Sequence, residues 1–160
     1  MGRALVLALA PLSFAVRWID AREDAFPAHL PANVTPVLTP DPEAEVARAS
    51  ADAMVLVTTH DHALDLAITA AALQRSFPFV GLIGSDTKRA RFERRFRELA
   101  IPDDRIAALV CPIGLPGIEG KEPAVIAASV AAQLLLERER GASPQAGRET
   151  LKSAHDRALA

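Results

Sequence analysis

Ala53-Met54-Val55-Leu56-Val57-Thr58-Thr59-His60-Asp61-His62-Ala63-Leu64-Asp65 passes from a continuous apolar run, through a polar turn, into an alanine-rich segment. An apolar run without alternation is what a strand buried on both faces requires, because both rows of its side chains meet core. Asp61 to Gln74 then has the length and alanine content of a buried helix. A strand leading directly into a helix is a βα unit, and repetition of that unit builds a parallel sheet with helices on both faces.

The unit repeats downstream. Phe79-Val80-Gly81-Leu82-Ile83 reads as a second buried strand, and Asp86 to Leu99 as an amphipathic helix with Phe92, Phe96 and Leu99 at helical spacing. Leu109-Val110-Cys111 is a last short strand. Pro123 to Arg140 is a long helix, with proline in its first turn and Gly141 just past its end. Upstream, Val34 to Leu38 is a short strand bounded by prolines. Pro42 to Ser50 is a helix whose Glu43 and Glu45 suit the positive end of its dipole. Arg22 to Asn33 carries two prolines and reads as a loop, and Phe14 to Ile19 alternates as a strand with Asp20 at its end.

The first residues admit two readings. Met1-Gly2-Arg3 before the apolar run Ala4 to Ala10 resembles a short secretory signal. The rival is an alanine-rich helix, Arg3 to Leu12, feeding straight into a strand, and the strand that follows favours it. The expected architecture is an α/β, Rossmann-like three-layer domain with a mostly parallel sheet over residues 1–140, followed by a polar tail over residues 141–160.

Composition agrees. The chain has 160 residues, enough for one domain with a real core; half are hydrophobic, 4% are aromatic and none is tyrosine, so the core is aliphatic. A net charge of −2 offers no global field for nucleic acid or an acidic membrane surface. No segment approaches the roughly 20 apolar residues of a membrane span. Cys111 is the only cysteine, which excludes an internal disulfide and a multi-cysteine zinc site, and a reducing, cytoplasmic setting is expected.

In a dinucleotide-type Rossmann unit a first strand enters G-x-G-x-x-G, the turn opens a helix, and the second strand ends on an acid about 20 positions on. Asp20 stands as that acid and Gly2 as the third glycine, where helix and sheet pack closely. The first strand and first two glycines would precede residue 1. The expectation is therefore an absent first strand, through an incomplete reading frame, a cut chain or a strand supplied by another chain. Its loss exposes two strand flanks, and paired edges would make a homodimer.

Ligands of such sheets bind beyond the carboxyl ends of the strands, which selects Asp20, Thr58 to His62 and Gly84 to Arg89. Thr59, His60, Asp61 and His62, with Asp65 behind them, form the densest polar cluster. Asp61 reads equally as a helix cap with the histidines as polar rim. His-x-His falls short of the three protein ligands of a zinc site, so ligand contact without metal is expected. In the second cluster Gly84 lets backbone approach a ligand, and Ser85 with the helix start suits an anion. Lys88 and Arg89 oppose the dipole in that first turn unless an anion such as phosphate lies nearby; plain capping with solvated cations is the alternative. Arg91, Arg94, Arg95 and Arg97 form either a wet face or a docking surface. Gly114 and Gly117 bring backbone near a ligand or only make turns. Cys111 has no basic neighbour in sequence and reads as core, so no catalytic residue is assigned.

Together, Val57-Thr58-Thr59-His60-Asp61-His62-Ala63-Leu64-Asp65, Val80-Gly81-Leu82-Ile83-Gly84-Ser85 with Lys88-Arg89, and Cys111-Pro112-Ile113-Gly114-Leu115 with Gly117 resemble the XdhC/CoxI family. The order and spacing of these blocks cover most of residues 1–136. The resemblance implies an accessory protein rather than a catalyst. Members bind the molybdopterin-type molybdenum cofactor, support its sulfuration by a cysteine desulfurase, and deliver it to a xanthine dehydrogenase-like apoenzyme. Its binding residues here would include Gly2, Asp20, Thr59, His60, Asp61, His62, Gly84, Ser85, Lys88, Arg89 and Gly114. Two other readings remain: an NAD(P)-binding oxidoreductase that sets Asp20 on the adenosine ribose, and a remnant that binds nothing.

Overall fold

The computed structural model describes residues 1–142, so the expected tail from residue 143 lies outside the described residues. Helix α1 (Gly2–Leu9) leads to strand β1 (Val16–Asp20) and a single 3-10 turn (Glu23–Ala25). Strand β2 (Val34–Leu38), helix α2 (Pro42–Arg48), strand β3 (Met54–Val57), helix α3 (His62–Leu73), strand β4 (Phe79–Leu82) and helix α4 (Asp86–Glu98) follow. A short helix α5 (Asp103–Ala107), strand β5 (Leu109–Val110) and the long helix α6 (Pro123–Ala142) complete the described chain.

Caps set these limits. Asp41 accepts from the Ala44 amide at the start of α2, Asp61 from Ala63 and Leu64 at the start of α3, and Ser85 from Lys88 at the start of α4. Helix α4 ends without glycine: Ala100 takes φ 58°, its amide reaches Arg97, and the Ile101 amide returns to the Phe96 carbonyl at 3.0 Å. Burial of Ile101 holds this left-handed turn in a residue that ordinarily avoids it. The turn launches α5, for which the sequence carries no glycine signal. Gly141 lies inside α6 rather than past it, because it is not among the glycines with positive φ and so does not stop the helix.

Every ladder is parallel, as βα units demand: β1 on β2 from Val16↔Val34 to Asp20↔Leu38, β3 on β4, and β4 on β5. The five strands nevertheless form two sheets, β1–β2 and β3–β4–β5, with no ladder between β1 and β3. Helices hold the halves together. On one face α1 packs on α6, joining Leu5, Leu9, Val130 and Leu134 with Val16 of β1 and Met54 and Leu56 of β3 in one cluster. On the other face α2 packs on α3, placing Val46 and Ile68 in a second cluster with Val57, Leu82, Phe92 and Phe96. This is a Rossmann-like three-layer α/β domain.

The division shows in burial. All four residues of β4, flanked on both sides, are buried, whereas Met54, Val55 and Leu56 of β3 are only half-buried. The apolar run Ala53–Thr58 thus does not reach the burial its composition suggests, because one flank of β3 has no neighbouring strand. Polar ties reinforce the halves. Asn33 Nδ2 donates to the Leu9 carbonyl at 3.1 Å and the Phe14 carbonyl at 3.0 Å, stitching the end of α1 to the start of β2. Arg138 of α6 donates to the Ser13 carbonyl at 3.2 Å while its guanidinium lies 4.7 Å from the Phe14 ring centre.

Candidate functional site

The polar turns that follow β1, β3, β4 and β5 make up the carboxyl edge. At its centre Asp65, from the first turn of α3, is 1% exposed. It accepts from the Thr59 amide at 3.1 Å and the Thr59 hydroxyl at 2.7 Å, and so pins the β3–α3 turn from beneath. Lys88 of α4 donates to the other Asp65 oxygen at 2.6 Å and to the Ile83 carbonyl at 2.9 Å, with its ammonium 5.3 Å from the Phe92 ring centre. One buried ion pair therefore ties the β3 turn to the β4 turn. The anion that settles a lysine in the first turn of α4 is Asp65, within the protein, and the Lys88 ammonium is not aimed outward.

This frame presents His60 and His62 to solvent, and neither side chain has a partner among the described residues. Asp61 spends one carboxylate oxygen on the Ala63 and Leu64 amides, and Thr59 accepts from the Asp61 amide at 3.2 Å. Both the capping role and the exposed rim are thus present in one turn. Among the described residues no group of three or more His, Cys, Asp or Glu is placed to hold a metal ion.

At the β4 turn, a Cβ on Gly84 would stand 2.7 Å from Lys88 Cδ and 3.3 Å from Cys111 Sγ. The glycine makes room for the inward lysine and the thiol. Ser85 caps α4 and is exposed. Arg89 is turned along the helix, donating to Glu93 at 2.8 Å and to the Cys111 carbonyl at 3.3 Å. Cys111 is buried, and desolvation pushes its thiol above the usual range against the weaker pull of Lys88 and Arg89. These cations approach the thiol only through the fold and are invisible beside it in sequence.

Gly114 has φ 109°, and a Cβ there would meet Ser129 Oγ at 2.8 Å. Its amide donates to Gln133 Oε1 at 2.8 Å, and the Leu115 amide to Ser129 Oγ at 2.7 Å. The close approach this glycine permits is to α6. The roles of Ser129 and Gln133 were not legible in the sequence, where both look like ordinary polar residues of a helix.

Across the gap, Asp20 closes β1. Arg22 grips its carboxylate with Nε and one terminal nitrogen, each at 3.0 Å, and this hydrogen-bonded pairing holds the carboxyl below its usual range. Gly2 begins α1 hard against β1: a Cβ would lie 3.1 Å from Trp18 Nε1. The expected residues thus fall into two groups: Thr59 to His62, Gly84 to Arg89 and Gly114 in the turns after β3, β4 and β5, and Gly2 with Asp20 beside the β1–β2 pair.

A family model described as the XdhC Rossmann domain matches residues 1–134. The chain belongs to this family. Among solved structures, a crystal structure described as a xanthine dehydrogenase from Bacillus halodurans is similar, at 25% identity and a TM-score of 0.69. The alignment covers 88% of this chain and 41% of that one, so the chain spans less than half the length of this neighbour. No curated protein matches. The blocks that carry the XdhC resemblance are the turns just described, at the carboxyl edge of the sheet. Among the described residues no helix is long and apolar enough to cross a membrane.

Proposed function

We propose that this XdhC-type domain binds the molybdopterin-type molybdenum cofactor in the cytoplasm, as an accessory protein and not as the hydroxylase. Its partners would be a cysteine desulfurase, which sulfurates the cofactor, and a xanthine dehydrogenase-like apoenzyme, which receives it. The observation that carries the reading is the β3–α3 turn, where two exposed imidazoles, without a partner among the described residues, stand on a frame locked by Asp65. Rigid presentation of a few convergent polar groups is how a site orients a polar ligand at low entropic cost.

The donor set fits a ligand with a polar heterocyclic edge and a phosphate. His60 and His62 would meet the polar edge, and Ser85 with the open first turn of α4 would meet the anion. Lys88 and Asp65 would position the turns without touching the ligand. When bound, the cofactor supplies the molybdenum and sulfur chemistry of the enzyme that receives it. The protein's part is to hold and orient it.

Retention by the purified chain tests the proposal. Molybdenum cofactor and NAD are offered separately and quantified after desalting, with circular dichroism to confirm folding. Retention of molybdenum cofactor that falls at least about tenfold in His60→Ala/His62→Ala supports the reading, a loss of about 1.4 kcal/mol. Retention of NAD alone, reduced by Asp20→Ala, would replace it with nucleotide binding.

A further inference from the structure

Helix α4 carries six of the chain's 18 lysines and arginines within 13 residues, in a protein whose net charge is −2. Phe92 and Phe96 make its buried side, and Lys88 is spent inward on Asp65. Arg91, Arg94 and Arg97 follow one another at i+3 spacing, with Arg95 one turn beyond Arg91, and all four are exposed. Residues so spaced are neighbours on a helix surface, and like charges there repel and weaken the helix that carries them. Arg95 pairs with Glu98 and Arg97 with Asp103, but neither Arg91 nor Arg94 has a carboxylate partner among the described residues. Arg91 is left beside the Phe92 ring, 6.0 Å from its centre.

The arginine strip borders a groove of about 440 Å³ between α4 and α5, lined by Arg89, Glu93, Arg97, Asp103, Ile106 and Ala107. On its α5 side Asp103 accepts from Arg97 Nε at 3.0 Å while its own side chain stays 82% exposed. A carboxylate brought to the strip by a neighbouring element is thus present once already, held loosely at the surface. At the other margin Leu99, 53% exposed, stands one turn beyond Arg95. We propose that this face of α4 docks a carboxylate-rich segment of another protein, with an apolar side chain of that segment set on Leu99. The segment's carboxylates pair with Arg91 and Arg94, whose planar guanidiniums suit bidentate recognition, and relieve the repulsion along the helix.

Charge pattern and chemistry favour protein over nucleic acid. Glu93, Glu98 and Asp103 interleave with the arginines and would repel an unbroken run of phosphates, whereas a protein segment places carboxylates only where cations stand. Single-stranded nucleic acid also calls for aromatic faces on which bases stack, and both aromatic rings of α4 are buried. Leu99 is of no use to a phosphate backbone but suits the apolar contact of a protein interface. The inference does not rest on the cofactor reading.

The test titrates the chain with three fluorescein-labelled probes: an amphipathic Glu/Leu peptide, its Lys/Leu counterpart and a single-stranded RNA of matched length. Fluorescence anisotropy gives the affinity, and the NMR signals of the arginine Nε–H groups show where the probe lies. The Glu/Leu peptide is expected to bind, to shift the signals of Arg91 and Arg94, and to weaken as salt rises. Arg91→Glu/Arg94→Glu is expected to lower its affinity at least about tenfold and Leu99→Ser at least about threefold. Lys121→Glu, an exposed charge reversal outside α4, is expected to leave it unchanged. Thermal melts confirm folding, and Arg91→Gln/Arg94→Gln takes the place of the reversal should that variant unfold. No binding of the Glu/Leu peptide, equal binding of the Lys/Leu peptide, or an equal loss in Lys121→Glu would each overturn the proposal. RNA bound more tightly than the peptide through the same arginines would overturn it as well.

Discussion

Lys88 Nζ lies 2.6 Å from Asp65 Oδ2, joining two turns whose residues are 23 positions apart in sequence. Asp65 is 1% exposed, the Lys88 side chain 11%, and both find further partners, in Thr59 and in the Ile83 carbonyl. A buried pair of this kind fixes geometry more surely than it adds stability, and its energetic weight appears when one member is removed. The exposed imidazoles of the site stand on this pair.

Lys88→Met leaves the Asp65 carboxylate buried without its cation and is expected to cost about 3–5 kcal/mol in urea unfolding. Asp65→Asn in the same protein removes the charge, and the double variant is expected to lose clearly less than the sum of the single losses. Additive losses would show that the two residues stabilise their turns separately.

Gly114 and Gly117 both have positive φ, at 109° and 89°, but only Gly114 has a neighbour where a Cβ would stand. Gly117→Ala therefore pays backbone strain alone, about 1 kcal/mol, while Gly114→Ala adds a clash with Ser129 and should cost about 2–4 kcal/mol. Thermal melts of the two variants check the order. A Gly114→Ala protein as stable as Gly117→Ala would show that α6 yields to the added methyl group.

The Cys111 thiol is held above its usual range by burial. A raised folded value means that its contribution to stability is complete below the unfolded value of about 8.5 and fades as pH rises through the folded value. Iodoacetamide at pH 8 should label the native protein at least about a hundredfold more slowly than the urea-unfolded one. Cys111→Ala should flatten the alkaline decline of the Tm. Rapid labelling of the folded protein would contradict the buried placement.

Asp20 behaves in the opposite sense. Its carboxyl is lowered by the Arg22 hydrogen bond, so its stabilising share is present above its ordinary value of about 3.9 and is lost as pH falls through the lowered folded value. In Arg22→Ala the NMR titration midpoint of Asp20 is expected to move up toward the ordinary range. An unmoved midpoint would assign the shift to the backbone amides of Ala21 and Arg22 instead.

The carboxyl-edge positions were legible because they are local. An apolar run ending in Thr58 marks the end of β3 to within one residue, since the strand closes at Val57; a cap at Asp61 lies where the sequence places it, and of Ser85 and Asp86, both open as the next cap, the structure uses Ser85. The strand ending in Asp20 was equally plain. What Lys88, Arg89, Gly84 and Gly114 serve was not, since spacing alone left a ligand, a cap or a turn open for each. Helix α5 was not anticipated either, because the turn that launches it uses Ala100 in a conformation usually marked by glycine.

The sequence by itself determined the succession of βα units and the family, since hydrophobic runs, turn chemistry and motif order are properties of neighbouring residues. Tertiary structure alone decided that the strands divide into two half-sheets, that Lys88 turns inward to Asp65, and that Gly114 makes room for Ser129. These outcomes depend on residues far apart in the chain, and a buried charge or a missing Cβ acquires its meaning only from the atoms that folding brings against it.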